Sequence, residues 1–225
     1  MNRRRFLVSG AALGVGATAG CLGTLGIGDQ NQNVVLGAPD RTADVSSEDL
    51  PYPAWGQRIP DVTLPAPVSG GTVSFRDVDR PVLATFIFTN CMTACPVLLS
   101  TLREVQVHSV QEGYADDVAF HPVTFDPARD DEAALRAERD QFNVDTDAGN
   151  WAFLRPEDEA RAKAVVTDQF GVTFQKQEVE EGPYMFIHLS LILLVNADGY
   201  VERAYRGQET DEGRIIDDLR TVRNA

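Results

Sequence analysis

Cys91 and Cys95 stand with Met92, Thr93 and Ala94 between them, and the chain's remaining cysteine, Cys21, lies far away near the N-terminus. A lone pair of thiols in an oxidising compartment closes a disulfide, binds metal, or alternates between the two. A structural staple normally joins distant segments, because closing a long loop removes more unfolded-state entropy. A bridge across three residues restrains almost nothing, so the spacing points to chemistry. Thiolate is both the nucleophile of disulfide exchange and a ligand for soft metals. Two thiolates are too few for a closed metal site, and a third ligand has to come from His108, His121 or His188.

The elements that must position these residues can be read from the surrounding sequence. Pro81 leads into Val82–Phe88, a nearly unbroken apolar and β-branched run of the kind buried on both faces of a sheet. That run ends at Thr89-Asn90-Cys91. Pro96 suits the first turn of a helix continuing to about Val110, with Leu98, Leu99, Leu102 and Val105 on one stripe. Cysteines at such a strand-to-helix junction project on neighbouring turns, where the helix dipole and unpaired amides favour thiolate.

Ile59–Leu64 and Thr72–Phe75 read as strands around a Pro- and Gly-rich turn, and Val118–Phe125 as a further strand. Asp130 is placed to cap a helix running toward Phe142, and Pro156–Phe170 reads as another. His188–Val195 and Tyr200–Ala204 form strands joined at Asn196-Ala197-Asp198-Gly199, with a last helix after Thr210. Helices between buried strands, then a closing hairpin and helix, predict an α/β fold of the thioredoxin-like type, with a central mixed sheet flanked by helices. In such a sheet His188 enters a strand beside the one that leads to Cys91. His108 falls off the apolar stripe and reads as solvated, and His121, ahead of Pro122 in a strand, reads as structural. Met92 and Met185 could each offer a thioether, but both read as packing residues.

Four ordered motifs resemble the Sco (SenC) family. The stretch from Phe88 to Pro96 looks like its Thr-x-Cys-x-x-x-Cys-Pro signature, and Val123 to Asp130 resembles its Val-Asp-Pro-x-Arg-Asp segment. Asn150-Trp151-Ala152-Phe153-Leu154 is similar to its Trp-containing segment, and His188, eleven residues before Gly199, matches the family histidine in kind and spacing. The similarity covers roughly Ile59 to Leu219. It implies one copper ion per chain, held by Cys91, Cys95 and His188. It further implies a role in building the CuA centre of cytochrome c oxidase subunit II, by copper delivery or by reduction of the target cysteines. Asp126 matches the family's acidic residue near the site, either supporting the ligands or capping backbone amides. The chain departs from the family in carrying Met92-Thr93 where Pro-Asp is frequent, and Ile187 where Asp usually precedes the histidine.

The N-terminal residues resemble export signals rather than fold. Arg3, Arg4 and Arg5 precede Phe6-Leu7 and a Gly- and Ala-rich run to Gly20, in an order similar to a twin-arginine signal. The run is short of the roughly 20 strongly apolar residues of a membrane-spanning helix. Thr18-Ala19-Gly20-Cys21 resembles a lipobox, which makes residues 1–21 a signal peptide with its lipobox Cys, cleaved ahead of Cys21 so that Cys21 stays as the lipid anchor. Residues 22–50, rich in Gly, Asn, Asp, Ser and Thr without apolar periodicity, read as a flexible linker, and 51–225 as the folded domain. The expected location is therefore the outer face of the cell membrane.

The formal charge is −14, with Lys163 and Lys176 the only lysines among 20 basic residues. That balance argues against nucleic acid as a partner and reads as adaptation to high salt, where screening removes self-repulsion. The alternative to a copper-handling role is a metal-independent thiol-disulfide oxidoreductase of the thioredoxin type, expected to be indifferent to His188→Ala. Either role requires an unidentified thiol reductant or copper donor. A peroxidase of the peroxiredoxin type fits the fold but not the residues, because no proline precedes Cys91 in the segment from Ala84 to Asn90.

Overall fold

The structure is a computed structural model and describes residues 31–40, 45–179, 182, 184–207 and 211–225. Cys21, the signal segment and the first part of the linker lie outside the described residues.

Strand β3 (Val82–Ile87) is buried at every position, as its unbroken apolar run requires. It pairs in parallel with β4 (Ala119–Thr124), Val82 opposite Ala119 and Ile87 opposite Thr124. On its other edge it pairs antiparallel with β7 (Leu191–Val195), which in turn pairs with β8 (Val201–Arg206). The resulting order is β4-β3-β7-β8. The one hydroxyl within β3, on Thr85, donates to the Leu191 carbonyl at 2.8 Å. That bond avoids the penalty of an unsatisfied polar group in the core.

Helix α1 (Ala94–Gln111) makes the parallel crossover from β3 to β4 and buries Cys95, Leu98, Leu99, Leu102 and Val105 along one stripe. Helix α4 (Glu212–Arg223) packs against it through a face that includes Ile215 and Leu219, its first turn capped by Asp211. Outside β4, Trp151 and Leu154 make single bridges to Phe120 and Val123, and the Trp151 ring stacks on Phe120 at 5.4 Å. The Trp-containing segment therefore covers the edge of the sheet. The chain has the thioredoxin-like α/β fold expected for it, with the mixed sheet flanked by helices.

Three details differ from expectation. Helix α2 (Glu132–Gln141) is capped by Asp131, which accepts from the Ala134 amide, because Asp130 is turned inward to other partners. Helix α3 begins at Glu159 rather than Pro156, since Asp158 caps it, and after Ala162 it widens into a π-helical turn over Lys163–Gln169. The strand expected over His188–Val195 is divided: His188 ends β6 (Met185–His188), which pairs antiparallel with β5 (Phe174–Gln177) as a separate arm. A small hairpin of β1 (Thr63–Pro65) and β2 (Thr72–Ser74) completes the strands.

Part of the stretch read as linker is seated on the domain. The amides of Val35 and Leu36 donate to the buried Glu202 carboxylate on β8, at 2.9 Å each to the nearer oxygen. Trp55 Nε1 donates to the Leu36 carbonyl. Composition cannot reveal this attachment, because its acceptor lies over 160 residues away. No helix among the described residues is long and apolar enough to cross a membrane.

Phe170, at the end of the π-helical turn, meets Phe86 of β3 and Phe75 with ring centroids 5.1 and 5.2 Å apart. The chain leaves that contact through Gly171, at φ +65°, where an added Cβ would lie 1.5 Å from the Pro51 carbonyl oxygen. Gly171→Ala is expected to cost about 2 kcal/mol or more of stability, combining left-handed strain with a backbone clash. Gly113→Ala, at φ +73° with open space around it, should cost only about 1 kcal/mol. Urea unfolding midpoints measure the difference, and equal losses would show that the Pro51 contact carries no weight.

Candidate metal centre

The centre is built where β3 gives way to α1. The Thr89 amide and hydroxyl both donate to the Asp130 carboxylate, which also accepts from the Thr124 hydroxyl. One fully buried carboxylate thus ties the end of β3 to the end of β4. Burial holds the Asp130 carboxyl above the usual carboxylate range, and the threonine donors oppose that shift. The chain then turns through a Cys91 amide bond to Phe88 O, and Cys91 faces the first turn of α1.

Cys91 Sγ accepts the Cys95 backbone amide at 3.3 Å and lies 3.8 Å from the Thr93 hydroxyl. A helix N-terminus offers such donors together with the positive end of its dipole. The Cys95 thiol is the largest influence on Cys91, donating to its sulfur. Burial opposes it, and the His188 ring and the amides of Cys95 and Thr93 assist. The Cys91 pKa falls from its ordinary 9.0 to about 3. Cys95 moves in the opposite direction, because it serves as donor to Cys91, is buried, and faces the neighbouring negative charge. The pair is a thiolate with a thiol behind it, Cys91 8% exposed and Cys95 fully buried.

His188 arrives from the β5–β6 arm. Its Nε2 lies 3.5 Å from Cys95 Sγ, while Nδ1 is 3.2 Å from the Leu189 carbonyl oxygen. A carbonyl only accepts, so Nδ1 carries the proton and Nε2 is the atom aimed at sulfur. The ring sits among Phe88 and Phe125, at 5.9 and 5.0 Å between centroids. Phe186 and Phe174 extend this aromatic packing on the arm itself. The sulfurs of Cys91 and Cys95 and the His188 ring offer three ligand atoms within 4.8 Å of one another. Two soft sulfurs and an imidazole whose tautomer is set by a carbonyl suit a soft metal ion of low coordination number.

Asp126 does not touch these ligands. Its carboxylate is 1% exposed and accepts from the Tyr184 hydroxyl at 2.8 Å and from Arg129. The amide-capping alternative does not hold for its side chain, whose partners are side chains; the Asp126 backbone carbonyl accepts the Arg129 and Asp130 amides. His121 is structural as expected, buried edge-on to Phe75, and burial drops its pKa to about 4. His108 is half-buried rather than solvated, with Nδ1 2.6 Å from the Tyr114 hydroxyl. Met185 packs on the core, whereas Met92 is 83% exposed and packs nowhere, because the loop between the cysteines turns it outward. Glu138 on α2 went unnoticed in the sequence. Burial raises it to about 7, with Asp130 and the Cys91 thiolate adding to the effect.

The SCO1/SenC family model matches residues 68–224. The chain is 30% identical over 155 residues to the SCO1 protein homolog of Bacillus subtilis (strain 168), covering 68% of this chain and 77% of that protein. Among solved structures it is similar to Bradyrhizobium japonicum ScoI with copper bound, at 24% identity and TM-score 0.60, covering 71% of this chain and 96% of that one. It is also similar to a SCO1/SenC family lipoprotein from Bacillus anthracis str. Ames, at 24% identity and TM-score 0.62, covering 75% and 95%.

The polarity of the cysteine pair has a direct chemical readout. Because Cys91 is thiolate far below the ordinary thiol range, iodoacetamide at about pH 5 should alkylate Cys91 in the metal-free protein and spare Cys95. Peptide mass spectrometry locates the adduct. Reaction confined to pH above about 8, as for an unactivated thiol, or labelling of Cys95 first, contradicts the assignment.

Proposed function

The chain belongs to the SCO1/SenC family, and on that premise we propose that it is an exported, lipid-anchored copper-binding protein that assists assembly of the CuA centre of cytochrome c oxidase subunit II. The observation that carries this reading is the convergence of Cys91, Cys95 and His188 at the head of α1. Copper is the cargo, held by the two sulfurs and His188 Nε2. The donor set is that of a Cu(I) site, soft and low-coordinate. The relative solved with copper bound has the same fold.

Thiol exchange with the oxidase's own cysteines is a second reading, favoured by the thiolate–thiol polarity of the pair. The Cys91 thiolate attacks an oxidised target disulfide, forming a mixed disulfide and releasing one target thiolate. Cys95 then loses its proton and attacks the Cys91 sulfur, closing Cys91–Cys95 and releasing the second target thiolate. Two electrons pass to the target, and the His188 ring, 3.5 Å from Cys95 Sγ, is placed to take the proton. His188→Ala therefore perturbs both chemistries, contrary to the indifference expected of a metal-free oxidoreductase.

The two readings separate by titration. Reduced protein should bind one Cu(I) per chain, with binding abolished in Cys91→Ser. In His188→Ala it should weaken by more than about tenfold, the smallest loss that changes around a metal ligand usually produce. Competition with a chromophoric chelator measures it. Unchanged affinity and spectrum in His188→Ala would sink the three-ligand site and leave thiol exchange. The anchor is tested apart from the site: Cys21→Ser should move the protein from the membrane to the soluble fraction, and retention at the membrane would refute lipidation at Cys21.

A further inference from the structure

Among the described residues, strands β5 and β6 pair only with each other, and neither joins the four-stranded sheet. The arm that carries His188 is thus not held in register by the backbone ladder that fixes the cysteines. Beyond the aromatic packing of the arm, a directional polar anchor lies at the far end of β6. Tyr184, four residues before His188, donates its hydroxyl to Asp126 at 2.8 Å. Its backbone carbonyl accepts Arg129 Nη1 at 2.7 Å, and its ring lies 3.6 Å from the Arg129 guanidinium carbon. Lys176, on β5, places its ammonium 3.7 Å from the centre of the same ring. Asp126 also binds Arg129 and so orients the guanidinium. A planar cation held by a carboxylate and stacked on a phenol fixes both direction and distance.

The same short loop has a second attachment. Asp130, one residue beyond Arg129, holds Thr89 through its amide and hydroxyl, two residues ahead of Cys91. One segment after β4 therefore grips the cysteine loop at one end and the histidine arm at the other. We propose that Arg129 and Tyr184 are positioning residues of the metal centre, clamping the β5–β6 arm to this loop so that His188 Nε2 is held on the cysteine sulfurs. The inference rests on His188 being the third ligand and goes beyond it, since neither residue touches metal or sulfur. It also gives Asp126 a role: it orients the clamp and acts on the ligands only through it.

The test uses the full chain and two readouts. In metal-free protein, Tyr184→Leu should speed amide exchange over residues 186–189 while leaving α1 as in wild type. It should weaken Cu(I) binding about tenfold, with Tyr184→Phe, which keeps the ring on Arg129, falling between Leu and wild type. Arg129→Gln should behave as Tyr184→Leu. In a His188→Ala background, Tyr184→Leu should cost no further affinity, because the clamp acts only through that ligand. A general structural defect would instead add its loss in both backgrounds, and such additivity overturns the proposal, as does wild-type exchange at 186–189. Unchanged affinity in His188→Ala alone removes the three-ligand reading and the clamp's role in metal binding together. Weakened affinity there, with wild-type exchange in Tyr184→Leu, removes the clamp only.

Discussion

The Cys91 sulfur takes the Cys95 amide at 3.3 Å at the opening of α1, and holding negative charge there constrains nearly everything around it. The amide must be unpaired, so the sulfur has to sit just ahead of a helix start. The helix must be rigid, and its apolar stripe is buried against β3 and β4. The approach to the sulfur must be fixed, which Asp130 achieves by binding Thr89 and Thr124 together. The neighbourhood is acidic for a thiolate: Asp130 and Glu138 are both buried nearby and both held toward their neutral forms. Burial is the main cause in both, and for Glu138 the Asp130 and Cys91 charges add to it.

Much of this was legible because it is local. A fully buried strand, a proline in the first helical turn and a leucine stripe are written in consecutive residues around Cys91 and Cys95, and the structure places them as the pattern implies. The identity of His188 was legible too, but not its setting. Strands β5 and β6 are short, with every residue half-buried or exposed, and Phe-Gln-Lys-Gln at Phe174–Gln177 shows no alternation strong enough to announce a strand. The helix cap failed for a related reason. Asp130 and Asp131 are adjacent and chemically alike, and only the position of Thr89 and Thr124 decides which one turns inward. The roles of Tyr184 and Glu202 depend on partners 58 and more than 160 residues away. No pattern within a window of the chain contains such pairings.

The aromatic packing around His188 links its position to its chemistry. Phe88 belongs to the segment that leads into Cys91, Phe125 to the end of β4, and Phe186 to the arm, and their rings meet within 5.5 Å of one another between centroids. These contacts are non-directional, so they bury one side of the ring without setting the angle of the imidazole. Direction comes instead from polar contacts: Nδ1 on the Leu189 carbonyl, and Tyr184 on Asp126 and Arg129 at the other end of the strand. Burial supplies the low dielectric in which a thiolate and an imidazole interact strongly. Hydrogen bonds supply the register.

Exposure completes the argument about direction of transfer. Cys95 is fully buried beneath the site, whereas Cys91 is 8% exposed and His188 is half-buried, so the surface reaches the centre past Cys91 and the His188 ring. Of the two cysteines, the less buried one, Cys91, is the one kept as thiolate. An incoming sulfur or metal ion therefore meets the ionised, slightly exposed cysteine first and the protonated, buried one second. For the thiol exchange proposed as the second reading, this would order attack by Cys91 and resolution by Cys95. For the copper handover that the proposed function implies, Cys95 would be the ligand an acceptor reaches last. Met92, next to Cys91 in the chain, is 83% exposed and turned to solvent. One polarity, set by a single amide and a buried thiol, would give both proposed chemistries the same order, Cys91 before Cys95.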